Sequence, residues 1–162
     1  MLARLGVTTP YLLFVGTAEP RKNLGRLLAA WREVRRSRPE VNLVLVGRSG
    51  EDPIYSKVLN SSGEPALVIA GRLADEDVAG LMSGAAVFVY PSLYEGFGLP
   101  VLEAMQAGAP VLISRDASLL EVTSDAAVAV DAESTAELAR AIVELVGDPR
   151  RRAELQIGRA HV

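Results

Sequence analysis

The chain has 162 residues, 49% of them apolar and 23% charged, which is one domain's worth of sequence with enough apolar content to bury a core. Lys and Arg number 17 against 20 Asp and Glu, a formal charge of -3 that argues against nucleic acid as an electrostatic partner. No apolar run reaches the ~18–20 residues of a membrane span, and with no cysteine and a single histidine at His161, disulfides, thiolate metal sites and a Ser-His-Asp triad are excluded. No signal peptide is visible, so a cytoplasmic location is expected.

In chain order, Met1–Pro10 reads as linker. Tyr11–Gly16 (YLLFVG) is the first of six short apolar runs, followed by Asn42–Gly47, Ala66–Ala70, Val87–Tyr90, Val111–Ser114 and Ala127–Val130. Continuous apolarity without alternation predicts strands covered on both faces, as in a parallel sheet. Between them, Asn23–Arg36 places Leu24, Leu27, Leu28, Trp31 and Val34 on one helical face. Asp75–Ala85 does the same with Val78, Leu81 and Met82, and Ser134–Val146 with Leu138, Ile142 and Leu145. Asn23, Asp75 and Ser134 are candidate N-caps, and Glu137 completes a capping-box spacing after Ser134. Pro100 opens a helix over Pro100–Ala107 that Gly108 closes, and a basic helix spans Asp148–Val162, interrupted at Gly158. Alternation of this kind predicts a single α/β domain over residues 11–162, a Rossmann-like, doubly wound parallel sheet of about six strands.

Ligands of such sheets bind outside the carboxyl ends of the strands, where the strand order reverses. With the order 3-2-1-4-5-6, the loop from Gly16 to Asn23 and the loop from Pro91 to Pro100 meet at that point. Gly96 and Gly98 allow close backbone approach, and the helix that follows offers unpaired N–H groups and a positive dipole end. Arg21 and Lys22 add full charges opposite. Glu95 and Glu103 supply carboxylates that accept forked hydrogen bonds from vicinal hydroxyls. A cationic clamp, an anion nest and diol-binding carboxylates together describe a nucleoside-diphosphate-sugar site. Taken singly, each has a plainer explanation: Arg21 and Lys22 as a solvated turn, Glu103 as a surface helix residue, Gly16, Gly96 and Gly98 as turn formers. A flavodoxin-shaped phosphoacceptor domain needs clustered acids after the first strand, and Gly16-Thr17-Ala18 does not supply them.

The segment PSLYEGFGLPVLEAMQAGAPVL (Pro91–Leu112) resembles the donor-binding motif of GT-B glycosyltransferases, in the retaining group that includes family 4 and is also called glycosyl transferases group 1. FVGTAEPRKNLGRLLAAW (Phe14–Trp31), VIAGRLADEDVAGLMSGAAVFV (Val68–Val89) and the stretch Ser118–Leu155 resemble the remaining segments of the same domain, in the same order. The resemblance implies the C-terminal half of a GT-B fold, acting in bacterial polysaccharide or glycoconjugate synthesis. It implies that Glu95 is catalytic and lies near the donor sugar, and that Glu103 accepts hydrogen bonds from the ribose. Lys22, Arg21, Gly16 and the Gly96-Phe97-Gly98-Leu99 backbone would hold the sugar and diphosphate, with no metal and no cofactor beyond the substrate. Thr17 stands where many members carry an arginine, and Arg21 is the candidate substitute. The GTAEPRKN variant points to GDP-mannose, with a UDP-sugar as the other donor. An N-terminal acceptor domain is the expected partner, and the cut ends are expected to favour self-association. The alternative reading is a non-catalytic Rossmann-like binding or interaction domain.

Overall fold

The computed structural model describes residues 1–53, 56–57 and 63–157. Six strands, β1 (Tyr11–Val15), β2 (Asn42–Val46), β3 (Leu67–Gly71), β4 (Val87–Tyr90), β5 (Val111–Ser114) and β6 (Val128–Val130), form one parallel sheet in the order β3-β2-β1-β4-β5-β6. The four inner strands are buried almost throughout, as unbroken apolar runs require. Both edge strands, β3 and β6, are largely half-buried, so the expectation of cover on both faces fails there: an edge strand lacks one neighbour, and composition alone does not reveal which strands are edges.

Helices α1 (Leu2–Leu5), α2 (Leu24–Ser37), α3 (Asp75–Gly84), α4 (Leu99–Ala107), α5 (Ala117–Thr123), α6 (Thr135–Gly147) and α7 (Pro149–Ile157) surround the sheet. α2 packs on α6 and α3 on α4, so helices cover both faces. The apolar face expected of α2 is fully buried, and Trp31 donates its indole N–H to the Val41 carbonyl at 3.0 Å, which anchors the helix to the start of β2. Among the described residues no helix is long and apolar enough to cross a membrane.

Several expectations are corrected. Residues 1–10, read as linker, contain a helical turn whose Met1, Leu2 and Leu5 lie against the core, and Val7 beyond it is buried. The apolar surface expected at that end is therefore partly covered, with Met1, Leu2 and Leu5 half-buried. Ala74, not Asp75, is the N-cap of α3, and Asp75, Glu76 and Asp77 fill its first turn, where the helix dipole favours carboxylates. Ser134 caps α6 by accepting from the Glu137 N–H at 3.1 Å, but the Glu137 carboxylate turns to Arg115 at 2.6 Å instead of closing the box. α5 was not anticipated, although Asp116 announces it by accepting from the N–H groups of Ser118 and Leu119. The final helix is seen as Pro149–Ile157, and Gly158–Val162 lie outside the described residues.

Candidate nucleotide-sugar site

The strand order reverses between β1 and β4, and the loops that follow them are locked together. The Leu93 N–H donates to the Arg21 carbonyl at 2.8 Å. Pro20–Lys22 forms a single 3-10 turn, and Asn23 ends it in a left-handed conformation (φ 61°, ψ 33°). Asn23 occupies the N-cap position of α2, yet its side chain makes no cap hydrogen bond. Its amide instead donates to the Pro91 carbonyl at 3.0 Å and the Ala132 carbonyl at 2.8 Å. One side chain thus ties the loops after β1, β4 and β6, and it turns the chain so that Lys22 points inward.

Lys22 is the charged centre of the crevice. Its ammonium donates to the Tyr90 hydroxyl and to Glu95 Oε1, the latter at 2.5 Å, and both charged side chains are 6% exposed. Arg21 holds the other oxygen of Glu95 at 2.8 Å and Glu19 at 2.7 Å. Two cations and two carboxylates therefore share one cluster with no net charge. Burial pushes the Glu95 carboxyl up, but Lys22, the Ser92 side chain and Arg21 outweigh it, so the group sits below its ordinary value near 4.5. Glu95 is an anion at neutral pH that two cations hold in place.

The rest of the loop turns outward. Gly98 is buried in a left-handed conformation (φ 82°), where a Cβ would lie 2.6 Å from a Leu119 methyl. It is the N-cap of α4, so the positive end of that helix follows directly on the loop that carries Glu95. The Ser118 hydroxyl donates to the Glu95 carbonyl at 3.0 Å and fixes the loop from the α5 side. Leu93, Tyr94, Phe97 and Leu99 are exposed apolar side chains along this loop, which the sequence pattern does not announce. Gly96 is exposed, with open space around it.

The structure thus brings Arg21, Lys22 and Glu95 into direct contact, with Gly96, Phe97, Gly98 and Leu99 beside them on the same loop. It does not bring Glu103 into that cluster: Glu103 is exposed on α4 and makes none of the described hydrogen bonds or ion pairs. Gly16 donates its N–H to the Val46 carbonyl at 2.9 Å, so that amide is committed to the sheet. Gly16 lies beside the Lys22 stem, where a Cβ would come 3.8 Å from Lys22 Cε, and with Thr17 it also lines a cleft of about 350 Å³ that includes Gly47, Arg48 and Arg72. Gly47 is required there, since a Cβ at that position would sit 1.9 Å from the Gly16 carbonyl oxygen. A further cleft of about 530 Å³ lies between Leu93, Arg115, Asp116 and Asp131. The sequence reading missed Tyr90, Ser92 and Asn23 as members of the site. Tyr90 and Ser92 read simply as strand and strand-end residues, and Asn23 as a helix cap. Their roles depend on contacts between loops about 70 positions apart.

This architecture is that of the Rossmann-like C-terminal half of a GT-B protein. The chain belongs to the family described as glycosyl transferases group 1, whose family model matches residues 4–159. It is 39% identical over 141 residues to the O-antigen chain mannosyltransferase B of Escherichia coli, covering 85% of this chain and 37% of that protein. It is 30% identical over 164 residues to a GDP-mannose-dependent monoacylated alpha-(1-6)-phosphatidylinositol monomannoside mannosyltransferase of Corynebacterium glutamicum, covering 96% of this chain and 43% of that one. Among solved structures, Anabaena Alr3699/HepE in complex with UDP and glucose superposes with a TM-score of 0.84 at 21% identity, over 98% of this chain and 44% of that one. Sucrose-phosphate synthase from Thermosynechococcus elongatus superposes at 0.82 with 30% identity, over 98% of this chain and 42% of that one. The chain spans less than half the length of each of these relatives.

Proposed function

We propose that this domain binds the nucleoside-diphosphate-sugar donor of a retaining glycosyltransferase, with GDP-mannose as the favoured donor and a UDP-sugar as the other. The observation that carries the reading is the buried Lys22–Glu95 pair at the reversal of strand order, with half-buried Arg21 on the other oxygen of Glu95 and the N-terminus of α4 three residues further on. Burying charge is unfavourable unless the charges are paired, and a cluster serving stability alone gains little over apolar packing. A site that must receive an anion and release it has use for cations whose counter-charge can be exchanged. The mannosyltransferase relatives support GDP-mannose.

In the reaction, the bond between the anomeric carbon and the diphosphate breaks and one to an acceptor oxygen forms, with the acceptor proton lost. Lys22, Arg21 and the α4 N-terminus would stabilise the departing diphosphate. Glu95 would orient the sugar and oppose positive charge at the anomeric carbon. Glu103, whose carboxylate has no partner in the protein among those described, would accept from the ribose diol. The exposed apolar side chains of the Glu95 loop would face an acceptor-binding half, and in that reading this domain alone transfers no sugar.

Calorimetric titration with GDP, UDP, ADP and dTDP tests the reading. GDP or UDP should bind, with the same affinity in EDTA as in Mg²⁺. Binding by none of the four would reject it. Glu103→Ala should weaken free and sugar-bearing nucleotide alike, roughly ten- to hundredfold for the loss of a charge-assisted hydrogen bond.

A further inference from the structure

Tyr90 closes β4 and is fully buried. Its ring stacks on Phe14 with centroids 5.8 Å apart and on Phe88 at 6.0 Å, a packing that a phenylalanine would complete equally well. The hydroxyl is therefore not needed for the core. The Lys22 ammonium donates to it and also lies 4.6 Å from the ring centroid, and the Glu95 carboxylate lies against the same hydroxyl. On its other side the same ammonium reaches Glu95. Burial, reinforced by the Glu95 carboxylate, pushes the Tyr90 phenol well above its ordinary value, so it remains a neutral acceptor.

A lysine ammonium sits on a flexible four-carbon stem and takes its position from its partners. Glu95 alone would not fix it, because in the donor-binding reading Glu95 must turn toward the sugar. We propose that Tyr90 is the positioning residue for Lys22: its hydroxyl holds the ammonium at the floor of the crevice, ready for the diphosphate, whatever Glu95 is bound to. This inference rests on the nucleotide-sugar reading of the site and adds a residue to it. Tyr90 is fully buried beneath Lys22, so in this proposal it acts as a positioning residue and not as a substrate contact.

The test is Tyr90→Phe, which keeps the ring stack and removes the oxygen. The chain has two lysines, Lys22 and the exposed Lys57, so ¹⁵N-lysine NMR resolves the ammonium of interest against an internal control. In the wild type, Lys22 ammonium protons should exchange more slowly than those of Lys57, and Tyr90→Phe should speed their exchange about tenfold. The variant should bind UDP and GDP about tenfold more weakly and bind uridine and guanosine unchanged. A purely structural role would shift thermal stability or weaken every ligand together. Unchanged diphosphate affinity in a folded Tyr90→Phe protein would overturn the proposal. So would a wild-type Lys22 that exchanges as fast as Lys57, a result that does not depend on the variant folding. If the wild type binds neither UDP nor GDP, the donor reading fails separately, and the exchange rates alone decide whether Tyr90 holds Lys22.

Discussion

Two ion pairs in this domain share their chemistry and differ in setting. Arg32 on α2 grips Glu64 through both nitrogens at 2.8–2.9 Å, with the two side chains 51% and 29% exposed. Lys22 meets Glu95 at 2.5 Å, with both at 6%. The first has the better geometry, a planar fork on a carboxylate, but water screens it, so it contributes roughly 0–1 kcal/mol. The second is enclosed, so each partner depends on the other, and removing one leaves a buried charge. Geometry alone therefore does not mark a functional pair. In the proposed donor-binding reading, burial at the switch point of the sheet is what sets the second pair apart.

That contrast can be broken by substitution. Lys22→Met should destabilise the domain by about 3 kcal/mol, near the lower end of the range for a broken buried pair because Arg21 still holds Glu95. Denaturant unfolding measures it, and a loss below about 1 kcal/mol would put Lys22 in the same class as Arg32.

Acid should expose the same difference. The Glu95 carboxyl is depressed in the folded state, so its contribution is fully present above its ordinary value near 4.5 and is lost as pH falls through the lower folded value. Lys22→Met should bring Glu95 back toward 4.5 and flatten stability against pH in that window. Carboxyl NMR titration of Glu95 in both proteins checks the sign: an unshifted or lower midpoint in the variant would contradict the cluster.

Because Glu95 occupies both cations, Glu95→Gln should free them for a diphosphate. Free GDP or UDP should then bind roughly three- to tenfold more tightly, while the sugar-bearing donor gains nothing or loses affinity. Titration of the pair of ligands into both proteins separates the two effects. Arg32→Ala, at the small end, should cost no more than about 1 kcal/mol and leave nucleotide binding unchanged.

Much of this domain was legible in the residues. Six apolar runs became six strands: in the four inner ones burial on both faces requires unbroken apolarity, while the two edge strands carry the same mark though largely half-buried. Alternation alone leaves the strand order open; the order 3-2-1-4-5-6, taken as the condition for the two loops to meet, is the one the structure has. What the residues could not show was who pairs with whom across those loops. Lys22 and Glu95 were each assigned a ligand, whereas the structure has them bound to one another. Asn23 has the composition of a helix cap, but its φ of 61° turns the amide away from the helix and into two other loops. Tyr90 hid in a strand because its ring satisfies the strand pattern, and only the tertiary fold brings an ammonium to its hydroxyl. The short α5 was signalled by Asp116 but lies in a stretch too brief for periodicity to establish.

In the proposed reading the enclosed pair, and not the better-formed exposed one, receives the diphosphate. Calorimetric titration of GDP and UDP into the wild type, Lys22→Met and Arg32→Met tests it most directly. Binding to the wild type should be measurable, equal in Arg32→Met, and weaker by at least about tenfold in Lys22→Met for removal of a charged hydrogen-bond donor. Undiminished binding by a folded Lys22→Met protein would contradict it and place the nucleotide elsewhere on the domain.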